Sequence, residues 1–600
     1  MADTIPKRFF DQVQKQAGRS AYLVKRNGVW KAATWNEYGA QVSQAARALV
    51  ALGFEPGQRV CILGFNRPEW VILDLAAMCA GGAPAGIYTT CSPDEVQYIV
   101  SHAEAPLVLV ENEMQWQKLE KKRDALPGLK YVVFMGGTTP PKSPEGGPTL
   151  FSWEDFLARG SAVQEKEIHA RVEALKPDGV ATLIYTSGTT GPPKAVMLTH
   201  DNLAWTSRML AEVTKNGPSA RTLSYLPLSH IAEQMVTIHG PITAGGTVYY
   251  AESIDKLADN IKECRPTLFF GVPRIWEKFH AAIEGKMKQA TGAKARIAKW
   301  ARGVGAEVSA LRARGGEPTG MLAIEHRIAT RLVFGPLKEA LGLDQASCLV
   351  SGAAPIGKEV IAFFASLDLG IQEIYGQSED SGPTSFNVPG RTKLGSVGPV
   401  LPGVDVKIAE DGEILVKGRN VFPGYLKDAA ATRDTITEDG WLRTGDLGRF
   451  DEEGFLFITG RKKEIIITAG GKNITPKNIE ELVKLCPLVA EVVVIGDRRK
   501  FLSALVWLEP DATKKWMAER GATGEPQTNA DVRAEVQRAI DAANEKLAKV
   551  EQVKKFSIQA RPLSIETGEL TPTLKVKRNK VAASFAAEID AMYEGTSDAS

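Results

Sequence analysis

A short polar run between two apolar segments constrains the fold of this chain more than any other feature. The run is Ile184-Tyr-Thr-Ser-Gly-Thr-Thr-Gly-Pro-Pro-Lys194. Apolar residues at 179–185 predict a buried strand before it, and residues 195–199 predict a second strand after it. The run is therefore expected to be a loop that joins two strands.

The residue types in this loop suit the binding of phosphate. Gly188 and Gly191 lack a Cβ atom, so backbone N–H groups can approach an anion closely. Lys194 adds a flexible cation, and hydroxyl donors come from Thr186, Ser187, Thr189 and Thr190. It is not the common P-loop, because no Gly precedes Lys194 and no Ser or Thr follows it. A plain surface loop is the alternative.

Composition and charge narrow the class of protein. With 600 residues and 44% hydrophobic content, the chain can bury a large core and is expected to form more than one domain. The 73 Lys and Arg balance 71 Asp and Glu, which gives no overall electrostatic case for nucleic acid binding. The six cysteines form no C-x-x-C pair and are expected to be reduced thiols in a cytoplasmic protein.

No segment predicts export or a membrane span. The first residues contain no apolar signal core. The apolar run 71–86 is interrupted at Gly81-Gly82 and Pro84, well short of the roughly 20 residues that a bilayer requires. A buried helix, a glycine stop and a strand are expected there instead.

Helix and strand patterns alternate along most of the chain. Strand patterns at 59–64, 86–88 and 106–110 alternate with helix patterns at 70–80 and 93–102, and the same rhythm returns between 222 and 273. This alternation predicts an α/β fold with two doubly wound layers. Short strands and turns at 395–460 predict a β-rich subdomain. The predicted domains are a large N-terminal unit, 1–460, and a small α+β unit, 461–600.

Residues 281–341 differ in composition from their surroundings. They carry eleven Lys or Arg against five Asp or Glu, and helix-forming residues dominate. A helical insertion is expected. Its role is left open between a solvated helical pair and a basic surface for anionic lipid or CoA phosphates.

Two later segments could enclose a nucleotide base. Gly352, Ala353 and Ala354 end a predicted strand with small residues that leave room for a flat ligand. In the segment 373–379, Tyr375 offers a ring face for a purine and Glu379 an oxygen ligand for Mg²⁺. The other members of that segment are Glu373, Ile374, Gly376, Gln377 and Ser378. The alternative is a strand and turn with a buried tyrosine.

The C-terminal part carries three further candidate features. Asp446, in the turn Thr444-Gly-Asp, could accept both ribose hydroxyls, and Arg461 follows closely enough to reach the same nucleotide. A surface turn with solvated charges is the alternative. The stretch Pro572-x-x-Lys575-x-x-Arg578 is expected to be a cationic loop.

These motifs, in this order, resemble the adenylate-forming superfamily over nearly the whole chain. The runs Tyr225-Leu-Pro-Leu-Ser-His230, Gly271-Val-Pro-Arg-Ile-Trp-Glu-Lys278 and Arg461-Lys-Lys-Glu-Ile-Ile-Ile-Thr-Ala-Gly-Gly471 resemble long-chain fatty acyl-CoA synthetases of the bubblegum type. The resemblance implies an ATP-dependent ligase that forms an acyl-adenylate and then transfers the acyl group to coenzyme A. The implied partners are a long-chain fatty acid, ATP, Mg²⁺ and CoA, without nucleic acid.

The resemblance also implies roles for individual residues. The loop from Thr186 to Lys194 holds the β- and γ-phosphates, and Thr186 with Glu379 ligates Mg²⁺. Residues 352–354 and Tyr375 surround adenine, the other residues of 373–378 belong to the nucleotide site with the Ser378 hydroxyl available to phosphate, and Asp446 with Arg461 holds the ribose. Lys575 is the adenylation lysine, with Lys577 as the alternative because Leu574 replaces the usual glycine before it. Catalytic His230 also lines the acyl tunnel, whose other residues are Ile231, Gln234, Gly271 and Val272. Lys463 is the hinge, and Gly470 and Gly471 line the path of the thiol.

The sequence is also compatible with other functions. The chain could activate another carboxylic acid, or pass a fatty acyl group from AMP to a carrier protein. A peptide-synthetase adenylation domain is disfavoured because the sequence has no carrier-type serine motif. A non-catalytic ATP-binding regulator would keep the pocket and could dispense with Lys575. The oligomeric state, monomer or homodimer, and peripheral binding to the inner face of a membrane are also open.

Overall fold

The computed structural model describes residues 3–186, 192–469, 472–571 and 575–594. The chain divides into two compact units. The first comprises Met1–Lys407, Leu415–Thr444 and Phe450–Leu456, and the second comprises Ile408–Ile414, Gly445–Arg449 and Phe457–Ser600.

The largest sheet of the first unit has eight strands and a parallel centre. Strand Arg59–Leu63 pairs in parallel with both Ala83–Ile87 and Leu107–Val110. Four of its five residues are buried, as expected for a strand covered by helices on both faces. From edge to edge the strands are Gly424–Tyr425, Lys194–Thr199, Val180–Thr186, Ala83–Ile87, Arg59–Leu63, Leu107–Val110, Tyr131–Phe134 and Thr149–Phe151.

A second layer consists of two four-stranded sheets that meet edge to edge. The Thr267 N–H donates to the Arg221 carbonyl at 3.0 Å where they join. One sheet runs in the order Arg221–Ser224, Thr247–Tyr250, Ser20–Arg26 and Val29–Thr34. The other runs in the order Leu268–Gly271, Cys348–Ser351, Ile371–Tyr375 and Ser385–Phe386. The two predicted layers are therefore present.

Helices surround these sheets and begin where the sequence supplies caps. Thr34 and Glu37 form a capping box at the start of helix Trp35–Ala51. The other α-helices of this unit are Ile5–Gln16, Pro68–Cys79, Pro93–Ala103, Glu113–Glu120, Trp153–Arg159, Glu165–Ala174, His200–Thr214, Ile231–Gln234, Gly240–Ala244, Leu257–Cys264, Pro273–Gln289, Gly292–Arg312, Gly320–Ala329, Gly335–Leu341, Lys358–Ala365 and Ala429–Thr435. The predicted helical insertion contains Gly292–Arg312 and Gly320–Ala329.

The apolar run 71–86 folds as the sequence predicts. Helix Pro68–Cys79 is buried along its whole length, Gly81 has a φ of +92°, and strand Ala83–Ile87 follows. Burial raises the pKa of Asp74, the acidic residue within this run, well above its ordinary value, which favours the neutral carboxyl. In the described part of the chain, every helix is too short or too polar to cross a bilayer.

The predicted β-rich region forms a four-stranded sheet. Its strands, in spatial order, are Val404–Ile408, Glu413–Gly418, Leu442–Phe450 and Leu456–Arg461.

The second unit is α+β, as predicted. Its three-stranded sheet has the order Val489–Ile495, Leu502–Leu508 and Val553–Gln559, and a small hairpin joins Ile466–Ile467 to Asn473–Ile474. Apolar clusters pack on both faces of the larger sheet. The helices are Pro476–Val483, Pro510–Glu519, Ala530–Asn544, Arg578–Ser584 and Ala586–Tyr593.

Candidate active site

Two adjacent strands hold the ends of the predicted phosphate loop. Thr186 is the last residue of strand Val180–Thr186, and Lys194 is the first residue of its antiparallel partner. The two residues are directly opposite in register, and the Thr186 hydroxyl donates to the Lys194 carbonyl at 3.4 Å. The strands thus fix the positions of a hydroxyl and a cation at one end of the sheet. Ser187, Gly188, Thr189, Thr190 and Gly191 lie outside the described residues.

Tyr425 connects the predicted phosphate lysine to the predicted metal ligand. The ring of Tyr425 lies beneath the Lys194 ammonium, with Nζ 5.0 Å from the ring centroid. Its hydroxyl donates to Glu379 Oε1 at 2.8 Å. Burial, followed by the charge of Glu379, raises the pKa of Tyr425 above its ordinary value, so the phenol stays protonated and remains a donor.

Sequence reasoning missed Tyr425. It belongs to the edge strand Gly424–Tyr425, which pairs with Val196 and Met197 next to Lys194. A Gly-Tyr pair in a turn-rich segment carries no signal for this pairing, since the partner strand lies far away along the sequence.

The segment around Tyr375 and Glu379 is a strand followed by a tight turn. Strand Ile371–Tyr375 leads into a 3₁₀ turn at Ser378–Asp380. Gly376 has no room for a side chain, because a Cβ would overlap the Gly382 carbonyl. Asp380, also missed from the sequence, is buried and holds the turn by accepting from the Gln377 N–H and the Thr384 hydroxyl, both at 2.7 Å. This turn places Glu379 where Tyr425 reaches it.

The two segments predicted to enclose adenine are neighbours. Strand Cys348–Ser351 runs parallel to strand Ile371–Tyr375, with Ser351 opposite Glu373. Gly352 follows at the carboxyl edge, and a Cβ built there would lie 2.5 Å from Ile374 Cγ2. Ala353 adopts a left-handed conformation with φ of +65°. Gly352, Ala353 and Ala354 therefore turn beside Ile374 and Tyr375.

The first residues predicted to line the acyl tunnel lie on and just before a short helix. His230 is half-buried and precedes helix Ile231–Gln234, whose Ala232 N–H donates to His230 Nδ1 at 3.1 Å. Ile231 and Gln234 are buried, and Gln234 Nε2 donates to the Leu228 carbonyl at 3.0 Å.

The structure also places this short helix beside the turn that carries Glu379. A Cβ built at Gly382 would touch Ile231 Cγ1 at 4.0 Å and Met235 Cγ at 3.8 Å. The predicted tunnel segment and the predicted metal ligand are thus in one neighbourhood.

Gly271 and Val272 end strand Leu268–Gly271 and begin the next helix. A Cβ at Gly271 would meet Trp276 Nε1 at 2.7 Å, and this indole N–H donates to the Gly271 carbonyl at 3.1 Å. The Cβ direction of Gly271 is therefore filled by an aromatic ring, so a larger side chain there would displace Trp276.

A buried carboxyl group follows His230, and sequence reasoning missed it. Glu233 Oε1 accepts from the Ser224 hydroxyl at 2.8 Å, the Thr237 hydroxyl at 2.6 Å and Asn66 Nδ2 at 3.3 Å. Burial raises the pKa of Glu233 to about 8. The network joins three separate segments beneath the His230 turn and holds it in place. A Glu in an apolar helix pattern gave no sign of these partners.

The second unit brings together three predicted residues. Arg461 Nε lies 3.0 Å from Asp446 Oδ1 in an ion pair. Desolvation, followed by the positive charge of Arg461, lowers the pKa of Lys575, whose side chain still reaches solvent, while Asp446 and Glu464 act in the opposite direction. The charges of Asp446 and Arg461 therefore both act on the Lys575 ammonium. Pro572, Thr573 and Leu574 lie outside the described residues, as do Gly470 and Gly471.

Arg578 and the backbone of Lys577 make contacts that stabilise the fold of the second unit. Arg578 forms an ion pair with both carboxylate oxygens of buried Glu480 and donates to the Val494 carbonyl at 3.3 Å. The Lys577 N–H donates to the Glu569 carbonyl at 2.7 Å. These contacts anchor the chain immediately after Lys575. Lys463 is exposed in the 3₁₀ turn Lys462–Glu464.

The oxygen atoms of Thr186 and Glu379 suit a hard cation that is bound mainly by the phosphate oxygens of a substrate. The described residues contain no group of three or more His, Cys, Asp and Glu that could hold a metal. Mg²⁺ needs no such group when phosphate oxygens complete its shell. The Thr186 hydroxyl and the Glu379 carboxylate offer oxygen ligands of the type that it prefers.

Comparison with known proteins shows the family. The model of the AMP-binding enzyme family matches residues 9–426, and the model of the AMP-binding enzyme C-terminal domain matches residues 463–597. The chain is 37% identical to the long-chain-fatty-acid–CoA ligase ACSBG2 of Xenopus laevis, over 98% of this chain and 84% of that protein. It is also 37% identical to ACSBG2 of Homo sapiens, over 98% of this chain and 92% of that protein.

A solved structure shares the fold. The A domain of carboxylic acid reductase from Segniliparus rugosus, in complex with AMP and a co-purified carboxylic acid, superposes with a TM-score of 0.75 at 20% identity, covering 99% of this chain and 94% of that chain. The predicted α/β fold class is confirmed. The predicted resemblance is confirmed as well: the chain belongs to the AMP-binding enzyme family.

Proposed function

We propose that this protein is an ATP-dependent long-chain fatty acid–CoA ligase that works through an acyl-adenylate. The observation that carries the proposal is the contact chain Lys194–Tyr425–Glu379, which joins a phosphate-binding cation to an oxygen ligand at the end of one sheet. The two ACSBG2 relatives, named for this activity and matched over almost the whole chain, support the substrate class.

The reaction has two steps that share one site. In the first, a carboxylate oxygen of the fatty acid attacks the α-phosphorus of ATP, and the bond from that phosphorus to the pyrophosphate oxygen breaks. In the second, the CoA thiol gives up its proton, its sulfur attacks the acyl carbonyl carbon, and the C–O bond to AMP breaks. The products are acyl-CoA, AMP and pyrophosphate. The chain supplies binding, orientation and charge, without a covalent enzyme intermediate.

We assign the phosphate and metal roles to residues of the first unit. Lys194 and the loop 186–191 hold the β- and γ-phosphates, and Thr186 with Glu379 ligates Mg²⁺. When bound, Mg²⁺ supplies positive charge to the phosphate oxygens. Tyr425 is a positioning residue: its hydroxyl orients the Glu379 carboxylate, and its ring holds the Lys194 ammonium. Hydrogen bonds of this kind to a ligating carboxylate commonly set metal affinity.

The nucleoside and acyl roles follow from the remaining segments. Residues 352–354 and Tyr375 enclose adenine, the rest of 373–378 completes the nucleotide site, and Asp446 with Arg461 holds the ribose. His230, Ile231, Gln234, Gly271 and Val272 line the acyl path, where each buried methylene adds about 0.8 kcal/mol to binding. Lys575 neutralises the reacting oxygens in the first step. Its shared electrostatic environment with Arg461 and Asp446 favours it over Lys577.

We also propose a division of labour between a domain 1–460 and a domain 461–600, with Lys463 as the hinge and Gly470 and Gly471 on the thiol path. The family models, which end at 426 and resume at 463, support this boundary. Lys463→Pro is expected to impair thioester formation far more than adenylation, and equal loss in both half-reactions would reject the hinge.

A cytoplasmic location is part of the proposal, as is peripheral contact with a membrane. Six buried, unbridged cysteines support a reducing compartment. A monomer and a homodimer are both compatible with the proposed chemistry.

An assay of AMP release with a panel of acids tests the function. Activity should rise from octanoate to palmitate and require CoA for turnover. Best activity on acetate, benzoate or an amino acid would reject the long-chain assignment. Acyl-AMP that forms but never reaches CoA would favour transfer to a carrier protein.

A further inference from the structure

The helical insertion has a well-packed inner face. Ala301, Val304 and Val308 of helix Gly292–Arg312 form a buried cluster with Ala329 and Phe334 of the segment that follows the turn. This hairpin therefore has its own core, and its outer face is not needed to hold the two helices together.

A partly buried carboxylate attaches the hairpin to the rest of the first unit. Asp368 accepts from Arg312 Nη1 at 3.0 Å, His326 Nε2 at 3.2 Å and Lys338 Nζ at 2.6 Å. Gly305 packs so closely that a Cβ there would overlap the Ser366 carbonyl. The outer face is thus presented by a fixed element and not by a loose loop.

The outer face is unusually apolar. Of the thirteen large apolar side chains that are exposed in the described part of the chain, six lie between 297 and 332. Four of them, 46% to 70% exposed, are Met321, Ile324, Ile328 and Leu332. Their spacing of three and four residues places them along one side of the helix and the following π-turn. Ile297 and Trp300 are the other two.

Positive charge accompanies this stripe. Residues 292–334 contain eight Lys or Arg against three Glu. Arg302 bonds to Ser366 and Arg312 pairs with Asp368, and the other six cations are exposed. Arg327 and Arg331 are exposed and directly precede Ile328 and Leu332 in the sequence, so they lie at the edge of the stripe. An apolar stripe bordered by cations matches a surface with apolar depth and negative headgroups. A second copy of the same face would bring like charges together, and CoA or nucleic acid would leave the apolar side chains in water.

We propose that this insertion surface, formed by the exposed residues of 292–334, docks on an anionic lipid bilayer. The proposal gives the peripheral membrane contact of the proposed function a location and in that respect rests on it. Vesicle binding is measured without acid, ATP or CoA, so failure of the docking surface and failure of the ligase assignment can be told apart.

The test is co-sedimentation of the full chain with vesicles of phosphatidylcholine, with and without phosphatidylglycerol. The parent should bind only the anionic vesicles, and added salt should weaken binding. The double variant I324E/I328E should bind at least about tenfold more weakly, and R327Q/R331Q should also lose affinity. Met114→Glu, at a 68% exposed apolar position on helix Glu113–Glu120, is the matched control and should bind like the parent.

Several results would overturn the proposal. The first is a parent protein that does not bind anionic vesicles, and the second is an I324E/I328E variant that binds them as tightly as the parent. The third is a Met114→Glu variant that loses as much vesicle affinity as I324E/I328E. A parent dimer that I324E/I328E converts to monomers, with vesicle binding unchanged, would identify a second copy as the occupant. Circular dichroism and ligase activity on octanoate verify that each variant is folded.

Discussion

Tyr425→Phe isolates the link between the Tyr425 hydroxyl and Glu379. The variant removes the 2.8 Å hydrogen bond to the Glu379 carboxylate and keeps the ring 5.0 Å from the Lys194 ammonium. A hydrogen bond to a charged group contributes about 1.5–3 kcal/mol, and loss of such a partner of a metal ligand typically lowers metal affinity about 10- to 100-fold. We therefore expect the Mg²⁺ concentration needed for half-maximal ATP binding to rise by about tenfold or more.

Calorimetric titration of the protein with ATP, at a series of Mg²⁺ concentrations, measures this directly. Without Mg²⁺, Tyr425→Phe should bind ATP like the parent, because the ring still holds Lys194. Tyr425→Leu should bind ATP more weakly even then, since the cation–π contact is lost at about 0.5–2 kcal/mol.

Tyr131→Phe, at a half-buried tyrosine in the same sheet, is the control and should leave both titrations unchanged. An unaltered Mg²⁺ requirement in Tyr425→Phe would refute the positioning role.

Three further variants test other parts of the account. Lys575→Ala should abolish acyl-AMP formation from ATP and fatty acid but largely spare thioester formation from supplied acyl-AMP and CoA. If Lys577→Ala abolishes acyl-AMP formation and Lys575→Ala does not, Lys577 is the adenylation lysine. Arg578→Met should lower the stability of the second unit by about 3–5 kcal/mol, measured by urea unfolding, because it leaves Glu480 buried without its cation, and an unchanged unfolding curve would contradict this. Glu233 has a folded-state pKa of about 8 against an ordinary 4.5, so its contribution to stability is complete below about pH 4.5 and is lost as the pH rises to about 8. Relative to Glu233→Gln, the parent should lose up to about 1.4 kcal/mol per pH unit across that range in thermal unfolding, and parallel curves would contradict the raised pKa.

Sequence reasoning succeeded where local pattern sets the structure. Alternating apolar runs predicted the two layers and the strands on either side of the phosphate loop. The register that puts Thr186 opposite Lys194 is a finding of the structure. The strand and turn around Glu379, which the sequence offered as the alternative interpretation of this segment, are both present.

Contacts between distant segments could not be found in this way. Tyr425 reaches Lys194 only through the pairing of an edge strand, and two residues carry too little signal to predict that pairing. Glu233 accepts from Thr237 on the same helical run and from Asn66 and Ser224, which lie far away along the sequence, so local pattern could not identify its partners. The direction of the absent Cβ at Gly271, toward Trp276, depends on helix packing that periodicity does not specify.

In the proposed mechanism, the fatty acid is activated as an acyl-adenylate at this site. The most direct test uses palmitate labelled with ¹⁸O in both carboxylate oxygens, incubated with the parent protein, ATP and CoA. The mechanism predicts that one labelled oxygen per turnover appears in the phosphate of AMP, as detected by mass spectrometry, and that Lys575→Ala forms no labelled AMP. Release of unlabelled AMP, or of ADP and phosphate, alongside palmitoyl-CoA would contradict the account.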